Sequence, residues 1–302
     1  MHPARNEGLP VQSYAILAVL LVTAILSWAS LAWDYPASAM DMSLPYTMGL
    51  SLTPFLVIWV IMMVAMMFPT AAPMILTFHN IQRRRTGRGA FFATWVFVTG
   101  YLLLWALTGG SAFALARGAE AAAAHFAVSA SSFARVGGAI LILAGVYQFT
   151  PAKNFCLLKC RTPIAFIMTS WRGGTAGALR MGWLHGLYCF GCCWLLFVIL
   201  FPLGMMNVAA MAAITLLILV EKIFPWRRLI EYASAAVLIV YGGAVIVMPE
   251  LLPTFSTHSR VDMGILDMPA NKGVATGNAQ SPKQYPGIGE DNAFQERIAM
   301  DA

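Results

Sequence analysis

Four soft or borderline metal ligands fall within one short stretch, HGLYCFGCCW: His185, Cys189, Cys192 and Cys193. On a helix they stand at i, i+4, i+7 and i+8, so they share a face. A thiolate–imidazole set on one helix face can bind a soft or borderline metal. Cys189-Phe190-Gly191-Cys192 is also a C-x-x-C, a spacing that can be redox-active. Simple packing competes with both readings, because a free Cys behaves as a small hydrophobe.

Two further clusters carry soft ligands. In WVIMMVAMM, Met62 and Met66 are four apart, as are Met63 and Met67, so they form a thioether stripe on a helix. Thioethers suit Cu(I) and are also flexible packing residues. Pro69 and Pro73 follow and are expected to kink the helix, freeing carbonyls and opening space. In YQFTPAKNFCLLKCRTP, Cys156 and Cys160 make a C-x₃-C on a short interfacial helix ended by Pro163, where Lys159 and Arg161 favour thiolates. Two buried thiols with no chemistry are the competing reading. Glu221-Lys222 either marks a helix end, with Glu221 paired to Lys222 or Arg227, or supplies a proton acceptor or ligand.

The elements that must hold these residues are membrane helices. The chain is 59% hydrophobic and only 11% charged, against about a quarter charged in soluble domains. Its long uncharged runs exceed the roughly 18 residues that suggest a spanning helix. The expected fold class is all-α, a polytopic membrane helix bundle with about seven transmembrane helices. The spans are expected near Ser13–Trp33, Leu50–Phe78, Phe91–Thr108, Val136–Phe149, two within Met181–Val220, and Tyr232–Val247. FPLGMMN, with its Pro and Gly, separates spans five and six. The net charge of +6 concentrates in a few connections, which excludes a nucleic-acid partner and reads as topology. Arg83–Arg85 and Arg88, then Lys153, Lys159, Arg161, Arg172 and Arg180, then Lys222, Arg227 and Arg228 all belong on the cytoplasmic side.

Three segments follow: a cytoplasmic N-terminal tail at 1–12, the membrane domain at 13–248, and an extracytoplasmic polar tail at 249–302, disordered or partner-bound. The expected location is the bacterial inner membrane, multi-pass, with the N-terminus cytoplasmic and the C-terminus periplasmic. Span five rises from the inner surface near Arg180, which puts Cys189–Cys193 about 12–18 Å deep at 1.5 Å per residue. Span two descends toward the same surface and puts Met66 and Met67 about 17–20 Å from it. The two soft clusters can therefore meet at one depth.

Taken together, these residues resemble a family of bacterial predicted metal-binding integral membrane proteins, catalogued as domain of unknown function 2182. The resemblance covers about Leu50 to Pro225. Its W-x-x-M-x-x-A-M-M-x-P segment is met by Trp59, Met62, Ala65, Met66, Met67 and Pro69. Its Y-Q-x-T-P-x-K-x-x-C-L-x-x-C-R segment is met by Tyr147, Gln148, Thr150, Pro151, Lys153, Cys156, Leu157, Cys160 and Arg161. Its G-x-x-C-x-G-C-C-W segment is met by Gly186, Cys189, Gly191, Cys192, Cys193 and Trp194. The G-M-x-N and E-K elements appear as Gly204, Met205 and Asn207, and as Glu221 and Lys222. The resemblance implies a shared fold and metal site and supplies no substrate.

The resulting expectation is a membrane protein that binds a soft metal ion, Cu(I) before any other soft or borderline metal. Transport, or delivery to a cuproprotein, is favoured over catalysis. Cys189, Cys192, Cys193, His185, Met62, Met66 and Met67 would form the intramembrane site. Cys156 and Cys160 would form a cytoplasmic-side acquisition or release site. Pro69, Pro73, Glu221 and Lys222 would be supporting residues of the metal sites. The expected partners are the lipid bilayer and a metallochaperone or membrane protein. The alternatives are a membrane thiol–disulfide oxidoreductase, a metal-dependent oxidase, or a structural subunit of a membrane complex.

Overall fold

A computed structural model describes residues 11–33, 47, 49–126, 130–205, 207–224 and 227–252. The expected tails at 1–12 and 249–302 lie almost wholly outside them. The described residues form helices and turns with no strand. The helices are α1 (Val11–Trp33), α2 (Leu52–Thr86), α3 (Ala90–Phe126), α4 (Ala130–Tyr147), α5 (Pro151–Arg161), α6 (Pro163–Ser170), α7 (Gly174–Val198), α8 (Leu200–Leu203), α9 (Val208–Ile223) and α10 (Arg227–Val247).

Each of the seven expected spans coincides with a helix, although they are unequal. Five are long and apolar enough to cross a membrane alone: α1, α2, α3, α7 continued by α8, and α10. Helix α4 qualifies together with α5, which bends away from it by 64°. Helix α9 has 16 residues, about 24 Å at 1.5 Å per residue. The protein is a multi-pass membrane protein. Only 22% of the most apolar window of α1, and of α10, is buried inside the molecule. Leu26 and Val240 point outward there, a surface that lipid tails solvate and water does not.

Two helices outrun the expected spans. Helix α3 continues to Phe126 because the sequence past Thr108 is rich in Ala, the best helix former. Helix α2 continues to Thr86, so Arg83, Arg84 and Arg85 sit in its last turn rather than in a loop. Cations there complement the negative end of the helix dipole.

Helix α2 runs through Pro69 and Pro73 as one element. Pro69 has no N–H to give the carbonyl of Ala65, four residues back. That carbonyl instead accepts the indole N–H of Trp28 from α1, at 3.0 Å. A side chain of a neighbouring helix thus satisfies the group the proline orphans, as spanning helices with Pro require.

Small residues set the closest helix pairs. A Cβ on Gly182 of α7 would run into the Phe97 backbone of α3, and one on Gly100 into the Leu179 backbone. Gly138 of α4 and Gly242 of α10 approach each other's carbonyls in the same way, at 2.7 and 2.6 Å for an added Cβ. Without a hydrophobic drive between helices in lipid, such close backbone packing supplies the association.

Local signals end and start the shorter elements. Thr150 caps α5 by accepting the Lys153 N–H at 3.3 Å, with Pro151 in the first turn. Gly204, at φ 93°, turns the chain after α8, and Asn207 caps α9 by accepting the Ala210 N–H at 3.1 Å.

Candidate metal centre

Cys189 is fully buried on α7, and three helices meet at its sulfur. From α2, the Met67 Sδ lies 3.9 Å away. From α3, the Tyr101 hydroxyl lies 3.3 Å away. From α9, the Lys222 Nζ lies 3.2 Å away. The Gly182 and Gly100 crossings bring α3 close enough for Tyr101 to reach. Thr70, one turn below Met67, accepts from Lys222 Nζ at 3.1 Å and donates to the Met67 carbonyl at 3.0 Å.

The other thiols surround this point. Cys192 and Cys193 are buried and turn their thiols to the Cys189 carbonyl, at 3.0 and 2.8 Å. Cys160, buried on α5, lies within interaction range of both the Cys189 and the Cys192 thiols. Cys156, half-buried, stands over Gly191, where an added Cβ would come 2.7 Å from its sulfur. The missing side chain of Gly191 lets α5 lie against α7. Two thiol sets that are separate in sequence are therefore adjacent in space. All five cysteines are free thiols.

His185 lies one turn before Cys189, with its ring between aromatic neighbours. The Tyr101 ring stacks on it at 5.5 Å and the Phe97 ring at 6.1 Å, and Phe166 meets it edge-on at 5.7 Å. Both ring nitrogens are buried with no hydrogen-bond partner among the described residues. Met62 and Met66 are equally buried on α2, and Met67 is the methionine whose sulfur approaches a cysteine.

Glu221 pairs not with Lys222, as the sequence suggested, but with Lys153 of α5 at 2.8 Å; the Arg227 side chain lies outside the described residues. Adjacent residues on a helix do not face each other, so Glu221 and Lys222 look in different directions. Lys153 also donates to Gln148. Lys153 is 1% exposed and belongs to a buried ion pair rather than to a charged loop. Beside it, Gln148, Asn154, Arg228, Glu231 and Tyr232 line a cavity of about 530 Å³. Arg161 ties the ends of α5 and α9 together by donating to the carbonyls of Glu221 and Phe224, at 3.2 and 2.7 Å.

Tyr101, Thr70 and the Lys153–Glu221 pairing are the parts that sequence reasoning missed. Lys153 left a signal, a lone cation beside the capped start of an apolar-flanked helix. Tyr101 left none beyond its neighbour Gly100.

Among the described residues, no three His, Cys, Asp or Glu side chains already form a metal-ready cluster. The soft pair fits a metal better. Two sulfurs at about 2.3 Å from one ion are roughly 3.8–4.0 Å apart in tetrahedral or trigonal geometry, and Cys189 and Met67 are 3.9 Å apart. Thiolate and thioether donors suit soft and borderline metals, Cu(I) and Zn(II) among them.

The fold and this cluster define a multi-pass, all-α membrane protein with buried thiols gathered around one thioether. A family model described as PpoB2, copper chaperone, matches residues 56–245. The chain belongs to that family and has a copper-related role. The metal-related family inferred from the motifs is met at that level, under a different designation from the domain of unknown function 2182. The comparisons with curated proteins and with solved structures give no significant match.

Proposed function

We propose that this protein accepts Cu(I) as cargo on Cys189 and Met67 and delivers it to a copper-requiring protein at or beyond the bacterial inner membrane. The observation that carries the reading is the 3.9 Å approach of the Cys189 and Met67 sulfurs from two different helices, surrounded by further thiols. Cys156 is the more exposed thiol and receives the ion. Cys160 passes it inward, and Cys192 or Cys193 completes a two- or three-coordinate site. His185, with two free ring nitrogens, is a further ligand within one helical turn. Met62 and Met66 extend the soft lining along α2, while Pro69 and Pro73 shape the turn beneath it. Each transfer exchanges one soft ligand for another, and the ion stays Cu(I) throughout. The N-terminus is cytoplasmic, the C-terminus is periplasmic, and the receiving partner is a membrane protein or a metallochaperone.

The test is copper content of the full-length protein purified in detergent after loading with Cu(I). Cys189→Ser should lose most of the bound copper, and Met67→Leu should lose less, because a neutral thioether is the weaker ligand. Wild-type copper content in a folded Cys189→Ser protein overturns the assignment.

A further inference from the structure

Lys222 stands 9% exposed inside the bundle, and its ammonium has two partners: the Thr70 hydroxyl at 3.1 Å and the Cys189 sulfur at 3.2 Å. The ion pairs found among the described residues do not include it, because its neighbour Glu221 is engaged by Lys153. A buried ammonium without an anion is strongly disfavoured. The Cys189 sulfur, 3.2 Å away, is the group placed to carry the balancing negative charge.

We propose that Lys222 is the charge-selecting residue of the metal site: it fits the site to a monovalent cation and turns away divalent ones. This rests on the reading of Cys189 as the cargo ligand. An ion on that sulfur, at a metal–sulfur distance of about 2.3 Å, lies no farther than about 5.5 Å from Nζ. In a low-dielectric interior a charge at that range is felt strongly. The count of charges then decides. With Cys189 and the completing Cys192 or Cys193 both bound as thiolates, the two sulfurs and Lys222 carry a net charge of minus one, which a monovalent ion cancels. A divalent ion leaves the buried site with a net positive charge. Met67, an uncharged ligand, adds a bond without changing that balance. Thiolate sites hold Zn(II) as well as Cu(I), so ligand softness alone does not separate them. A fixed ammonium beside the central sulfur does. The Lys153–Glu221 pair next to it is neutral as a unit and leaves the count unchanged.

The experiment measures the affinity of the full-length, detergent-purified protein for Ag(I), a redox-inert soft monovalent ion, and for Zn(II). Lys222→Met and Lys222→Gln remove the charge, and Lys222→Arg keeps it. Cys189→Ser checks that Ag(I) is held at the expected sulfur. The Zn(II)-to-Ag(I) affinity ratio should rise at least tenfold in the Met and Gln variants and stay near wild type in the Arg variant. A purely structural role for Lys222 would weaken both ions together and leave the ratio unmoved. If Ag(I) binds through Cys189 and the ratio is unchanged in both neutral variants, the inference falls alone. If wild type holds no Ag(I) that depends on Cys189, the cargo reading falls and takes this inference with it.

Discussion

Two buried cations organise the polar interior, and they have different roles. Lys153 is held by a carboxylate, Glu221, at 2.8 Å, with Gln148 on its other side. Lys222 is held by a sulfur and a hydroxyl. The first arrangement is structural: removing one partner of a buried pair leaves an uncompensated charge and costs about 3–5 kcal/mol, while replacing both with apolar groups is often neutral. Lys153→Met alone and Glu221→Leu alone should therefore lower thermal stability in detergent sharply. The double variant should recover most of the loss. A double variant as unstable as the sum of the singles would mean the two residues act separately. Neither single change removes a sulfur, so protein that folds should still bind copper through Cys189. The chain places the soft ligands where they can be read from sequence, because Cys and Met at helical spacing are visible as a pattern. The pairing of Lys153 with Glu221 was not visible: it joins residues 68 apart, and nothing local in either segment names the other.

Helix packing turns that scattered list into one site. Met67, Tyr101, Cys160, Cys189 and Lys222 come from α2, α3, α5, α7 and α9. They converge because α3 and α7 touch backbone to backbone at Gly182 and Gly100 and because α5 lies over Gly191 of α7. Gly182→Ala forces a methyl into the Phe97 backbone and should destabilise the protein by about 1–3 kcal/mol, as overpacking does. It should also weaken copper binding by moving Tyr101 and α2 relative to Cys189. Gly110→Ala, on α3 where an added Cβ meets nothing within 4 Å, should be neutral or stabilise by up to about 1 kcal/mol through helix propensity. Unfolding midpoints of the two variants, measured side by side, check this, and equal effects would remove the close approach as the cause. The helices themselves were legible from hydropathy. Their ends were less so, because the Ala-rich half of α3 and the Arg-bearing turn of α2 are helical for reasons of propensity and dipole rather than apolar run. The proline segment was expected to kink α2 and free carbonyls. The helix runs on as one element through it, and the carbonyl freed at Ala65 is taken up by Trp28 of α1, a contact 37 residues distant in sequence.

The helical bundle of the described residues has two chemically distinct ends, and contacts rather than composition show it. Arg85, at the end of α2, lies over the Trp171 ring at 4.4 Å, in the connection between α6 and α7 that also carries Arg172. Arg161, at the end of α5, donates to the carbonyls at the end of α9, just before Arg227 and Arg228 in the sequence. The three basic connections that the sequence assigns to one side are thereby linked at one end of the bundle. The other end joins Gly137 of α4 to Pro202 and Leu252 and holds the buried Glu120, which accepts from the Thr47 N–H and hydroxyl at 2.8 and 2.9 Å. Excess Lys and Arg mark the cytoplasmic side, so the Arg-bearing end is predicted to face the cytoplasm. The number of crossings then predicts the side of the C-terminus. Helix α9 is about 24 Å long by its 16 residues, short of the roughly 30 Å hydrocarbon core. Its ends still lie at opposite ends of the bundle, because Phe224 meets Arg161 at the basic end while α9 begins beside α8, which contacts Gly137 at the other. We predict that α9 crosses as a short span in addition to the six candidates, which makes seven and puts the termini on opposite sides. A reporter active only in the cytoplasm should be active when fused before Val11 and silent when fused after Pro249. Activity at both positions would mean that α9, or the bent α4–α5 pair, enters and leaves the membrane on one side, and the site at Lys222 would then sit nearer the surface than Cys189 and Met67 place it.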